Sequence, residues 1–233
     1  ALMLDGTVSV KSASFDIGQA GGDVTLGETV TRTVSPVKPT SFSIGQAVTL
    51  PEGATQVQGG SVLAVLDPAA GLLWVGNAGE PATMSFANED AVAKDLSDGI
   101  VTVSPSGTVF AYSPGSSSLV TVVKEGQTWR AKSTTLKGFQ PSGALSITAV
   151  GDKPVIYDQA GNTLVMPDGK VRDLAEEHVT GAVLQAPGDD AASVLLATDS
   201  ELVAVSLNGK SVDRQPASDA GTKGNPAAPV FHN

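Results

Sequence analysis

Short apolar and β-branched runs alternate with turn-forming clusters along most of this chain, the pattern of half-buried strands joined by tight turns. Two stretches carry it most regularly. Strand-like segments at 100–103, 108–112, 118–123 and 127–131 are separated by Ser104-Pro105-Ser106-Gly107, by Ser113-Pro114-Gly115-Ser116 and by Lys124-Glu125-Gly126. The next stretch repeats the scheme, with segments at 145–150, 154–157, 163–166 and 171–174. Its turns are Gly151-Asp152-Lys153, Gln159-Ala160-Gly161-Asn162 and Pro167-Asp168-Gly169-Lys170. Four strands joined by three turns predict a four-stranded antiparallel meander.

The meander recurs. Units begin near Asp23, Ser61, Ile100, Leu145 and Ser193, and a truncated one begins at Pro229, at intervals of 38, 39, 45, 48 and 36 residues. A period of ~40–45 residues with four strands is that of a β-propeller blade. The run 62–66 is continuously apolar and 194–197 nearly so, as strands covered on both faces are. The predicted fold is all-β: a single propeller over 1–233, with about five four-stranded antiparallel blades, or a fragment of a larger propeller. A β-sandwich is the alternative, although it needs no common phase from unit to unit. Tyr112 and Tyr157 fall at the same place in two successive units, which predicts blade-to-blade packing. Trp74, within an apolar strand, is expected in the core.

Helix is expected only at 89–96, with Asn88 as cap, and for one turn at 174–177. Residues 6–10 read as one extra strand and 216–229 as a polar surface loop. The unit starting at Pro229 stops inside its first strand, so the chain is expected either to close by pairing its ends or to be cut from something longer.

Charge and composition narrow the functions. Fourteen Lys and Arg face 24 Asp and Glu, for a net charge of −10. Lys11, Arg32, Lys38, Lys94 and Lys124 are spread singly, whereas neutralising phosphates takes clustered cations. Nucleic acid and anionic membrane surfaces are therefore not expected as partners. The absence of cysteine excludes disulfides, thiolate metal sites and thiol catalysis. The apolar runs are too short for a membrane span of ~20 residues.

Phe15-Asp16-Ile17, Gly21-Gly22-Asp23-Val24-Thr25-Leu26 and Gly59-Gly60-Ser61-Val62-Leu63-Ala64-Val65-Leu66-Asp67-Pro68, followed by Leu73-Trp74-Val75, resemble the N-terminal region of large actinobacterial proteins. In that family a propeller-like segment precedes fibronectin type III or Ig-like domains. The resemblance implies an exported, multidomain cell-surface parent, and it brings no catalytic residues with it.

The chemistry-bearing patterns are weak. His178 and His232, the only histidines, lie 54 residues apart, and adjacent Glu176, Glu177 and His178 do not converge on one ion, so no metal site is expected. Asn208-Gly209-Lys210-Ser211 has the tail of a phosphate loop, but position 204 is alanine where a glycine is needed, and Asn-Gly predicts a hairpin turn instead. No Gly-x-Ser-x-Gly elbow is present. Repeated tryptophan docking motifs of quinoproteins are missing too, so no cofactor is expected. The remaining enzymatic candidates are Asp67, Asp158, Asp168, Asp189, Asp190 and Asp199, most of them at turns, where Asp bonds its own backbone. Trp129 and Arg130, side by side after a turn, form the candidate ligand surface. The expected role is a non-enzymatic extracellular scaffold or interaction module with a protein or polysaccharide partner. A polysaccharide hydrolase or lyase using carboxylates near the propeller axis is the alternative.

Overall fold

In the computed structural model, residues 10, 13–20, 22–179, 181–216 and 225–230 are described, and they form five antiparallel sheets in chain order. The first sheet contains β1 (Phe15–Ala20), β2 (Asp23–Glu28) and β3 (Thr33–Lys38), with β4 (Ser43–Ile44) and β5 (Val48–Thr49) both paired to β3. The second contains β6 (Thr55–Gly59), β7 (Val62–Asp67) and β8 (Leu72–Asn77). The third contains β9 (Ile100–Val103), β10 (Val109–Ser113), β11 (Ser118–Glu125) and β12 (Thr128–Thr135). The fourth contains β13 (Leu145–Val150), β14 (Lys153–Asp158), β15 (Thr163–Val165) and β16 (Val171–Asp173). The fifth contains β17 (Val183–Leu184), β18 (Ser193–Ala197), β19 (Glu201–Ser206) and β20 (Val212–Pro216).

First strands thus start at Phe15, Thr55, Ile100, Leu145 and Val183, 40, 45, 45 and 38 residues apart. The third and fourth sheets start where the apolar pattern places them. The first, second and fifth start one strand before Asp23, Ser61 and Ser193, because β1, β6 and β17 are polar, glycine-bearing or very short. As a result Val103, Ile147 and Leu195 are not equivalent: Val103 is buried in a first strand, Ile147 is half-buried in a first strand, and Leu195 is half-buried in a second.

The expected helix at 89–96 shrinks to a 3-10 turn at Asn88–Asp90. Beyond it the chain extends to bond β8: Val92 N–H donates to Leu73 O at 2.8 Å, and Leu73 N–H donates to Ala93 O at 3.0 Å. Pairing there satisfies an edge that a helix would leave open. The single turn at Ala175–Glu177 forms as expected. Strand 6–10, apart from Val10, lies outside the described residues, as do 217–224 and Phe231, His232 and Asn233. Residues 225–230 carry no strand.

The sheets stack face to face through apolar layers. Val62, Ala64, Leu66 and Leu73 of the second sheet meet Val103, Val109, Ala111 and Val120 of the third. Tyr112 of the third packs with Ile156 and Val165 of the fourth, its ring 5.6 Å from that of Phe139. Tyr157 of the fourth packs with Leu184, Val194, Leu196 and Val203 of the fifth. The two tyrosines therefore act as the sequence predicts. Trp74 is 3 % exposed, lies edge-on to Phe86, and donates from Nε1 to Ala87 O at 2.9 Å.

Polar clamps join the same layers. Gln58 accepts from Thr25 Oγ1 at 2.6 Å and donates to Asp23 O at 3.0 Å, linking the first two sheets. Ser104 and Ser106 both donate to Asp152 across the third and fourth, Ser104 at 2.6 Å. Lys153 pairs with Asp190 at 2.6 Å, and Gly151 N–H donates to Gly188 O at 2.9 Å, across the fourth and fifth. Ala186 N–H likewise donates to Pro229 O at 2.9 Å. Innermost strands adjoin in the order β1, β6, β9, β13 and β17, and among the described residues no packing of that extent joins β17 back to β1.

Gly107 turns the chain between β9 and β10 with φ +93, and a Cβ there would lie 2.7 Å from Val62 Cγ2. Gly107→Val is expected to destabilise by roughly 2–3 kcal/mol in urea melts, while exposed Asp189→Ala stays within about 0.5 kcal/mol. Gly209 also has positive φ, but Gly161 does not: Asn162 takes the left-handed position, with φ 50. Gly161 is constrained instead by approach, since a Cβ would meet Asp158 Oδ2 at 2.6 Å.

Candidate functional site

The β11–β12 hairpin reaches past the rest of its sheet. β10 pairs with β11 only from Ser118 to Val122, so Val123–Glu125 and the residues opposite, Thr128–Arg130, form a two-stranded ribbon of their own. A two-residue connection, Gly126-Gln127, closes it, with Gly126 at φ +64.

Side chains alternate across a strand, so Trp129 and Arg130 point to opposite faces. Trp129 sits opposite Lys124 and turns toward the second sheet, half-buried against the apolar layer there. Lys124 Nζ lies 5.4 Å from the centre of its ring. Packed against that layer and approached over its ring by an ammonium, the indole is a cation–π partner, not a bare stacking platform. Two adjoining hollows share Asn77, Lys124 and Trp129: one of about 270 Å³ reaches Ser61, Ser106 and Thr108, the other of about 370 Å³ reaches Met84, Asp90 and Gln127.

Arg130 stands on the other face, opposite Val123, and its Nε lies 3.9 Å from Glu125 Oε2. Both partners are about two-thirds exposed, so this pair is weak. Lys132 shares that face. Beneath it a hollow of about 520 Å³ runs between Leu119, Thr121 and Thr134 of the third sheet and Pro154 and Pro167 of the fourth. Residues 118–137 hold four of the chain's 14 basic residues (Lys124, Arg130, Lys132 and Lys137) against one acid, Glu125. A running charge count over twenty residues exposes this local +3, which reading each cation singly does not.

The carboxylate candidates are spread over turns of different sheets, and Asp67, Asp158, Asp168 and Asp190 serve structure there. Asp158, 1 % exposed, accepts from Ser142 N–H at 2.7 Å, Ser142 Oγ at 2.9 Å, Gly161 N–H at 3.1 Å and Ala160 N–H at 3.2 Å. Burial works to raise its pKa, and these bonds outweigh it, holding the carboxyl below its ordinary range. Asp152 is held low in the same way by Ser104, Ser106 and Thr108, against burial. Asp67 accepts from Ala69 and Ala70 N–H, both at 2.9 Å. Asp168 is lowered by its bonds from Lys170. Asp190 pairs with Lys153, Asp189 stands exposed beside it, and Asp199 lies in the β18–β19 turn.

Glu177 is bound by Arg172 at 3.1 Å and Arg214 at 3.3 Å, which ties it to the fourth and fifth sheets, while His178 takes a left-handed turn position beside it. Among the described residues no group of three His, Asp or Glu is placed to hold a metal ion. Lys210 and Ser211 lie in the hairpin between β19 and β20, where Ser206 N–H donates to Ser211 O at 3.0 Å.

No protein-family model matches the sequence, and no curated protein is similar to it in sequence. Its backbone is similar to solved structures. A streptogramin B lyase superposes with a TM-score of 0.59 at 11% identity, over 89% of this chain and 70% of the lyase. AztD of Citrobacter koseri gives 0.57 at 14% identity, over 88% of this chain and 59% of AztD. YCF48 bound to D1 peptide gives 0.51 at 14% identity, over 90% and 69%. The chain thus spans about two thirds of each neighbour. At these identities the likeness carries the fold alone, and together with the five stacked antiparallel sheets it makes this chain a β-propeller.

Proposed function

We propose that this chain is a non-enzymatic interaction module within a larger, exported, multidomain surface protein. The observation that carries the reading is the engagement of the acidic candidates. Of these, Asp67, Asp158 and Asp168 spend their oxygens on turn amides, a hydroxyl and a lysine, and Asp190 pairs with Lys153, while Asp152, outside the candidate set, is engaged in the same way by Ser104. A hydrolase or lyase of the kind expected from axial carboxylates needs two acids about 5–9.5 Å apart across a bound sugar. Asp67, Asp158 and Asp168 instead serve separate turns of the second and fourth sheets. Support also comes from residues 118–137, which hold a local net charge of +3 on an acidic chain. YCF48 bound to a peptide is a propeller neighbour in such a role. Export and a surface location rest on the resemblance to actinobacterial surface proteins, which extends over about residues 4–233 and is carried by motifs between Phe15 and Val75.

The test is incubation with a panel of polysaccharides, esters and peptides. No turnover above buffer is expected. Saturable turnover that Asp67→Asn, Asp190→Asn or Asp199→Asn abolishes overturns the reading.

A further inference from the structure

β12 is the outer edge of the third sheet, and at eight residues it is the longest edge strand of the five sheets. The fourth sheet ends on three residues and the fifth on five. Leu136 N–H donates to Ser117 O at 2.9 Å, just beyond the paired residues Thr135 and Ser118. Antiparallel pairs alternate, so Thr134, Lys132, Arg130 and Thr128 bond inward to β11. Trp129, Ala131, Ser133 and Thr135 consequently turn their N–H and C=O groups outward. The two-residue connection gives the same phase, because Glu125 and Thr128 must close it as a bonded pair. The edge is exposed along nearly its whole length, and β16, the edge of the fourth sheet, has only three residues.

Charge selects what fits. Arg130 and Lys132 are two residues apart on one face of the edge, beside exposed Val123, in a segment of net +3 on a chain of net −10. A strand added alongside β12 sets its own side chains on the same face as the β12 residues they oppose. We propose that β12 receives an extended acidic peptide segment as an added strand, with carboxylates at every second position opposite Arg130 and Lys132. Main-chain bonds to Ala131 and Ser133 supply the docking, and the alternating charges set its register. The Glu125 pairing of Arg130 is long and exposed, so the incoming carboxylate replaces it readily. This assignment rests on the interaction-module reading and names the partner's chemistry. Edge lysines also guard sheets against unwanted pairing, and the experiment separates the two roles.

The probe is a capped, fluorescently labelled eight-residue peptide alternating glutamate and threonine, titrated with the full chain and followed by anisotropy. Saturable binding is expected. Arg130→Glu with Lys132→Glu should weaken it by about tenfold or more. The same peptide with a central proline keeps its charge but loses ladder bonds, and should bind at least about tenfold more weakly. Ala131→Pro removes one outward N–H and should have a similar effect; its far-UV circular dichroism is recorded to confirm folding. Equal binding of the proline peptide overturns strand addition in favour of a purely ionic contact. No binding of the alternating peptide overturns the proposal altogether and leaves Lys132 as an edge guard. Neither result touches the interaction-module reading, which fails only on turnover.

Discussion

Tyr157→Ala is expected to lower the unfolding free energy by about 3–5 kcal/mol, the range for emptying a large aromatic from a packed core. Tyr157 is 1 % exposed and is shared between two sheets, touching the apolar layer that includes Leu164 on its own side and Leu184, Leu196 and Val203 on the other. Truncation therefore opens a cavity at an interface between stacked sheets, where neither can collapse without moving as a body. Its hydroxyl donates to Val179 O at 3.3 Å. Burial, with a smaller contribution from the Asp158 charge, raises its pKa, so it remains a neutral donor across the physiological range. Tyr157→Phe keeps the ring and loses that bond, so it should cost only about 1 kcal/mol. Urea melts of the two variants check both. A loss below about 1 kcal/mol for the alanine variant would contradict packing of the fourth sheet on the fifth.

Asp158→Ala is the second large effect, about 3–5 kcal/mol at neutral pH. It orphans the amides of Ser142, Ala160 and Gly161 and the Ser142 hydroxyl in a region that Asp158 itself keeps closed. The carboxyl also predicts an acid limb. Its folded pKa lies below the ordinary value of about 3.9, so its stabilisation is complete above that value. As pH falls from there through the folded pKa, the unfolded chain takes up the proton first and the contribution is lost. Asp152 acts in the same sense. Stability of the native chain should therefore fall below about pH 4, and Asp158→Ala should flatten that fall. An acid limb of unchanged steepness in the variant would show that Asp158 does not carry it.

The meander itself is legible in the sequence because its turns are written in local chemistry. Asp67, Ser113 and Asp158 each end a second strand and bond the amides that follow, and Gly71, Ser117 and Asn162 take the left-handed position four residues on. Strand starts carry a weaker local signal. The strongest apolar runs mark strands buried on both faces, and in the second sheet that strand is β7, whereas β6 is Thr-Gln-Val-Gln-Gly. Only in the third and fourth sheets is the first strand a largely apolar run of four residues or more, for β17 is apolar but two residues long. The segment 89–96 has helical composition, but the vacant edge of β8 claims its backbone, and no local property reports that. The sequence shows Trp129 and Arg130 as neighbours, while their opposite directions depend on the strand they occupy. The outward edge of β12 depends on which strand pairs where, so residue types alone do not reveal it.

Among the described residues each sheet is built from consecutive strands and packs chiefly on the sheets before and after it in the chain. Such a molecule behaves as a row of coupled units, not as one centre with a shell. Most of its pairings close over a hairpin, so the entropy of bringing partners together is small within a sheet and is paid mainly where sheets stack. Among the described residues the third sheet is packed on both sides, by the second and by the fourth. The ribbon carrying Trp129 and Arg130 therefore springs from a unit held from both sides, and its root cannot loosen without disturbing two stacked neighbours.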